Sequence, residues 1–339
     1  MRLDLDSDAL VANWRALAAR GGAACGAAVK ADGYGLGARA IVARLWQAGC
    51  RDFFVSTWAE AAALPALAEG SVAVLHGVRE ADMGAALAAA RAGQARPVLN
   101  TEAQVRRWRA AGGGACDVMI DTGINRLGLS VAEARSGLLD GLAIDTLMSH
   151  LACADEPAHL LNARQRDAFR AVAGALPARR RSLANSAGIL LGRDYAFDLT
   201  RPGLALYGGM PAPGADGLIR RVATPATQVL QVRDVPAGSS VGYGATWQAA
   251  RPSRVAIVNL GYADGIARVL GPGLRFATGL PAVGRVSMDL IAVDVTDGDV
   301  REGDWLSLDY DLPTLAAAGG MSQYELLTGL GARFERRWI

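Results

Sequence analysis

The fold this sequence predicts is an α/β barrel followed by a mostly-β domain, and three observations carry that expectation. Over residues 22–210, short apolar runs alternate with Ala/Leu/Arg-rich stretches of helical spacing. Eight such runs occur, and past residue 215 β-branched runs follow one another without helices between them. Strands alternating with helices imply parallel βαβ units, and eight units suit a closed (β/α)8 TIM-type barrel. An open doubly wound sheet would share the alternation.

The eight expected strands cover 23–29, 52–56, 72–76, 96–99, 116–121, 144–150, 182–186 and 198–201. Between them, 38–48, 58–67, 80–92 and 102–111 are built from strong helix formers. Pro211-Ala212-Pro213-Gly214 marks a break, so the barrel is assigned to residues 1–215 and the β domain to 216–339. In the second part, 226–235, 253–261, 282–296 and 305–308 read as strands, and 312–318 and 323–330 as helices. Strands in a run argue for a separate unit.

Composition narrows the function. The chain has 339 residues, 51% of them apolar, enough to bury a sizeable core. Lys and Arg total 35 against 33 Asp and Glu, a net charge of +2, which gives no footprint for nucleic acid or acidic lipid. Four scattered cysteines form no CxxC pair and have no histidine at zinc spacing, so neither a disulfide scaffold nor a metal is expected. The N-terminus alternates charge with leucine, unlike a signal peptide, and no apolar stretch reaches the ~18 residues of a membrane span. A cytoplasmic protein is expected.

In a barrel, function belongs at the C-terminal ends of the strands. Lys30 closes the first run, where an amine is costly unless paired, neutralised or used covalently. His150 follows the sixth run, Arg201 the eighth and Arg126 the fifth. Each has an ordinary structural reading as a surface cation, ion pair or packed imidazole. Asn185 and Ser186 would open a helix, as an N-cap or as phosphate-binding N–H groups. Barrels often hold phosphate at the loops after strands seven and eight, where Gly203 also lies.

Lys30-Ala31-Asp32-Gly33-Tyr34-Gly35 resembles the pyridoxal-phosphate attachment motif of bacterial alanine racemases. Asp121-Thr122-Gly123-Ile124-Asn125-Arg126-Leu127-Gly128, Ser149-His150-Leu151-Ala152, Ala184-Asn185-Ser186-Ala187-Gly188 and Arg201-Pro202-Gly203 match in order. So do Val241-Gly242-Tyr243-Gly244-Ala245-Thr246-Trp247, Gly261-Tyr262-Ala263-Asp264-Gly265 and Gly284-Arg285-Val286-Ser287-Met288-Asp289. The resemblance implies the same barrel and β domain, and racemisation of alanine on pyridoxal 5'-phosphate. Lys30 then holds the cofactor as a Schiff base and serves as one base. Tyr243, reaching the site of the other subunit of a homodimer, is the second. An ordinary tyrosine titrates near ~10, so the phenol needs help, which His150 and Arg201 would relay.

By the same resemblance Arg201 meets the pyridine nitrogen as a pure donor, leaving it unprotonated. Tyr34, Ser186, Asn185 and the backbone of Gly203 and Leu204 hold the phosphate. Arg126, Met288 and Asp289 meet the substrate, and Tyr262 narrows its way in. Many members carry, two residues before Asp121, a lysine that becomes carbamylated and braces the equivalent of Arg126; this chain has Met119. The alternatives weighed are a broader serine racemase, a related decarboxylase, a small non-catalytic pyridoxal-phosphate barrel and a sugar-phosphate barrel enzyme. Lys30 beside Arg201 disfavours the last, and the domain holding Tyr243 disfavours the small barrel.

Overall fold

The computed structural model describes residues 1–67 and 70–339, with the backbone alone at Thr278. The chain divides into two compact units, Leu10–Arg220 and Met1–Ala9 with Arg221–Ile339.

The larger unit is an eight-stranded parallel barrel. Ala27–Ala28, Asp52–Val55, Ser71–Val74, Ala95–Leu99, Cys116–Met119, Ile144–Met148 and Arg180–Ser182 form one continuous ladder. The eighth strand, Leu199–Thr200, pairs in parallel with Ala24–Cys25, which is the start of the first. Backbone bonds from Asp198 N–H to the Arg181 carbonyl and from Arg201 N–H to that of Ala184 join strands seven and eight. This closure excludes the open sheet.

The first strand is broken at Gly26, where a Cβ would lie 2.7 Å from the Asp52 carbonyl oxygen. The seventh strand starts two residues earlier than expected, and Ser186 already belongs to the helix Ser186–Leu190. The helix expected over 58–67 stops at Ala63, because Leu64 turns extended ahead of Pro65; residues 68–69 lie outside the described residues.

A charged layer occupies the N-terminal end of the barrel. Asp52, Ser71, Arg96, Asp117, Asp145 and Arg180 each stand first or second in their strands. Arg180 grips both oxygens of Asp52 at 2.8 and 2.6 Å and reaches Asp145 at 3.0 Å. Arg96 pairs with Asp117 at 2.7 Å and with Asp145 at 2.7 Å. Burial pushes the Asp145 carboxyl up, but Arg179, Arg96 and Arg180 outweigh it and hold it down at about 2. Burial dominates at fully enclosed Asp117, raising it to about 6 against Arg96. Cations and carboxylates here answer one another and leave the opposite end of the barrel for other work.

The smaller unit is a twisted sheet. The order is Arg275–Phe276, Leu280–Val283, Ile291–Asp294, Ser253–Val258, Ala223–Val235, Arg2–Leu5 and Glu335–Trp338, with Trp305–Ser307 also on Ala223–Val235. Residues 1–215 therefore do not form one piece: Arg2–Leu5 runs antiparallel to Ala223–Val235 and parallel to Glu335–Trp338. The physical reason is period two, since Leu3 and Leu5 are fully buried while Arg2 and Asp4 are not. The run expected over 282–296 is two strands with a loop between them. That loop carries Met288 and Asp289.

Arg180→Met should strand Asp52 at the barrel's N-terminal end, while Asp145 loses one of three arginine partners. The expected loss is about 3 kcal/mol in urea unfolding, the range for breaking a buried pair from one side. A loss under ~1 kcal/mol would mean that the layer is solvated and structurally idle. The share due to Asp145, whose folded value is depressed, is present above the ordinary carboxyl range and disappears as pH falls toward about 2.

Candidate active site

Lys30 stands where the first barrel strand ends, and the backbone does something uncommon there. Ala31, Asp32, Gly33 and Tyr34 have φ of 52°, 52°, 63° and 58°, a single left-handed turn. Such a conformation costs roughly 1–2 kcal/mol for each residue with a Cβ, so its surroundings must impose it. At Gly33 a Cβ would lie 2.4 Å from Ile41 Cδ1 and 3.2 Å from the Ala38 backbone, so a larger residue would have to push Ile41 aside. Asp32 Oδ1 accepts the Ala38 N–H at 2.8 Å, tying the turn to the helix Ala38–Ala48. Burial lowers the Lys30 amine below its ordinary value, Arg126 lowers it further, and Glu60 opposes both.

Arg201 is buried to 7% exposure just past the last barrel strand. Its Nη2 donates to the Ser149 carbonyl at 2.6 Å and its Nη1 to Ser182 Oγ at 2.5 Å. Nε has no acceptor among the described residues, so this donor, with the second N–H of each terminal nitrogen, is available to a ligand. Burial lowers the guanidinium to about 10, with Asp117 opposing, so it is a cation at neutral pH. His150 is pushed down to about 3 by burial and then by Arg201, Arg126 and Lys30. The imidazole is therefore held in its neutral form by burial and by the cations around it. The Arg126 backbone N–H donates to Asp121 Oδ2 at 3.1 Å, in a loop that Asp121 Oδ1 also ties through Gly123, Ile124 and Asn125. Its guanidinium has no protein partner among the described residues, and Met119 is buried on the strand before it.

A cradle for an anionic group lies between strands seven and eight. Ser186 Oγ accepts the N–H of Gly203 at 2.9 Å and of Ala205 at 3.3 Å. The N–H groups of buried Leu204, Ser186 and Ala187 find no acceptor among the described residues. Buried donors are rarely left so; a phosphate at these two short helix starts would satisfy them. A Cβ on Gly203 would meet Tyr34 Oη at 2.2 Å, so phenol and backbone are pressed together at this spot. Asn185 Oδ1 is engaged by the Gly188 N–H at 2.8 Å as the helix N-cap, which orients Ser186. The residues present thus fit a phosphate-bearing cofactor that attaches to an amine.

Ser149, Ser182 and Tyr207, not expected among the site residues, also meet them. The first two are acceptors for Arg201. Tyr207 donates to the Ala28 carbonyl at 2.7 Å and packs on Tyr34 with ring centroids 4.7 Å apart. Ser149 acts through its backbone carbonyl, which carries no sequence signal, while Ser182 and Tyr207 act through hydroxyls that the sequence shows but whose burial it does not.

The remaining expected site residues lie in the smaller unit. Tyr262 N–H donates to the Ser287 carbonyl at 3.0 Å, and Ala263 N–H to that of Met288 at 3.0 Å. Tyr262, Met288 and Asp289 are therefore held in two joined loops. Arg333 clamps them, pairing with Asp264 and Asp289 at 2.7 Å each. Tyr243 opens a short turn between Gly242 and Gly244 and is 71% exposed. Tyr262 and Met288 are also exposed, at 43% and 54%. Large apolar side chains gathered on one unit in this way commonly await a cover.

The family model described as alanine racemase, N-terminal domain, matches residues 5–211, and that for the C-terminal domain matches 222–338. An alanine racemase of Acidiphilium cryptum is 44% identical, covering 98% of this chain and 97% of its own length. The crystal structure of alanine racemase from Bartonella henselae with covalently bound pyridoxal phosphate superposes with a TM-score of 0.89. It is 36% identical over 100% of this chain and 99% of that one. A biosynthetic alanine racemase of Pseudomonas aeruginosa gives 0.87 at 34% identity, with both chains fully covered.

Gly203→Ala should force Tyr34 aside and cost about 1–3 kcal/mol in urea unfolding, the range for overpacking. Introduced into a Tyr34→Phe background, the same change should cost less. Equal losses in both backgrounds would show that the phenol oxygen does not press on this backbone.

Proposed function

The chain belongs to the alanine racemase family, and from that premise we propose that it interconverts L- and D-alanine on pyridoxal 5'-phosphate, supplying D-alanine for peptidoglycan. The observation that carries this reading is the meeting of Lys30, Arg126, His150 and Arg201 beside the Ser186–Gly203 cradle, on a chain matched to the family along almost its whole length. Nothing favours the broader serine-racemase alternative.

Bound at Lys30, the cofactor supplies the electron withdrawal that makes an amino-acid α-proton removable. The protein's residues do the rest. Tyr34, Ser186 and the N–H groups of Leu204, Ser186 and Ala187, unpaired among the described residues, would bind the phosphate beside Gly203. The Gly203 N–H is itself given to Ser186 Oγ, and Asn185 fixes the helix that presents Ser186. Arg201 would offer a guanidinium donor to the ring nitrogen; as a permanent cation it would withhold the proton that a carboxylate there would retain. Arg126 binds the substrate carboxylate, helped by Met288 and Asp289, and Tyr262 restricts access.

Two bases address the two faces of the α-carbon. Lys30 Nζ, lowered by burial and by Arg126, has a larger neutral fraction than a solvent lysine and can accept a proton. The second is Tyr243 Oη, exposed on its own unit, which we assign to the site of a partner subunit in a homodimer. The relay to this phenol would then run through a neutral His150, which lies close to Arg201. The exposure of Tyr243, Tyr262 and Met288 supports an association that covers them.

Among the described residues no helix is long and apolar enough to cross a membrane. We place the protein in the cytoplasm, where its four free cysteines stay reduced.

The purified protein should show a visible absorbance band that borohydride abolishes, leaving a reduced adduct on Lys30 by peptide mass mapping. An adduct on any other residue would overturn the assignment. Arg201→Glu should lower racemisation by about 100-fold or more while a new long-wavelength absorbance appears with substrate. Retained activity without that band would count against the proposed role of Arg201.

A further inference from the structure

Glu60 has one role that its own helix explains and one that it does not. Oε2 accepts the N–H of Ser56 at 2.6 Å and of Thr57 at 3.4 Å, while Thr57 Oγ1 accepts the Glu60 N–H at 3.2 Å. This is a capping box at the start of Trp58–Ala63. The other oxygen leaves the helix. Oε1 accepts the N–H of Ala31, 29 residues away, at 3.0 Å.

Ala31 is the first residue of the left-handed turn and the direct neighbour of Lys30. A turn with three non-glycine residues at positive φ relaxes unless outside contacts hold it. Backbone bonds from Gly33 to Val29 and from Gly35 to Ala31 close the turn on itself, and Asp32 ties it to the Ala38 N–H. Among the described residues Glu60 is the side chain that ties the residue next to the amine to another element. The charge matters as well. Arg126 and Glu60 are the charged groups acting on Lys30 among the described residues, neutral His150 lies near Lys30 and Arg126, and of the two charged groups Glu60 is the carboxylate.

We propose that Glu60 is a positioning residue for Lys30, pinning the left-handed turn through the Ala31 N–H and setting its carboxylate against the cations of the barrel mouth. The inference rests on the assignment of Lys30 as the cofactor-bearing amine. It adds that the helix after the second strand aims this amine and preserves its basicity, which burial and Arg126 both erode.

The test is made on the full-length chain stripped of cofactor, by competitive acylation of Lys30 across pH. Glu60→Gln keeps the shape and removes the charge, so the Lys30 titration midpoint should fall by about one pH unit. Thr57→Ala removes the other half of the capping box and should leave the midpoint in place. A midpoint unmoved in Glu60→Gln, or an equal fall in Thr57→Ala, overturns the proposal.

Hydrogen exchange on the unchanged protein gives a second reading that needs no variant to fold. Ala31 is exposed, yet its amide should exchange at least ~10-fold more slowly than an unbonded loop amide. Exchange at the free-loop rate overturns the proposal as well. Failure of borohydride to label Lys30 in the loaded protein would instead overturn the cofactor assignment, so the two failures are told apart.

Discussion

Positive charge gathered at one end of a barrel is the constraint on which the rest of this structure depends. Lys30, Arg126 and Arg201 converge where the strands end, and His150 among them is driven neutral. At the opposite end the arginines have carboxylates, Asp52, Asp117 and Asp145, within bonding distance. At the mouth the carboxylates of Glu60, Asp32 and Asp121 are each occupied with backbone N–H groups. A dianionic cofactor and a carboxylate substrate are what such a mouth lacks. The fold thus creates an electrostatic deficit that its ligands repair.

Repair is useful only if the cations stay in register, and the chain uses strand closure to fix them. Arg201 belongs to the segment that completes the barrel, so its guanidinium is placed by the same backbone bonds that join strands seven and eight. Ser149 and Ser182 then each accept from one terminal nitrogen and leave its other N–H groups to a ligand. Lys30 is fixed by a strained turn that Gly33 permits and Asp32 ties down. Tyr34 is caught between Tyr207 and Gly203. Strain next to a reactive amine persists because its neighbours over-determine it.

The barrel strands were legible because βαβ alternation leaves a period-two against period-3.6 signature over many residues. Arg2–Leu5 was not, because four residues carry too little pattern and its partners lie some 220 and 330 residues away. The charged layer at the N-terminal end was equally invisible: Asp52, Asp145 and Arg180 look like ordinary strand-start charges until closure brings them together. Lys30, Arg201 and Tyr243 stood out through the ordered motifs around them. Glu60 was hidden by a sufficient local explanation, since Thr57 and Glu60 already spell a capping box. Asn185 illustrates the converse, a residue whose capping reading and site reading describe one geometry, because the cap orients Ser186.

The smaller unit contributes a phenol that is mostly exposed, on a loop whose neighbours Tyr262 and Met288 are exposed too. The central claim is that the amine and this phenol act on one carbon from two chains. Refolding an equal mixture of Lys30→Ala and Tyr243→Phe chains tests it most directly. Half of the dimers are then mixed, and each holds one site with both bases intact. Two inactive proteins should together recover about a quarter of wild-type activity. A mixture that stays as inactive as its parents would place both bases in a single chain and contradict the account.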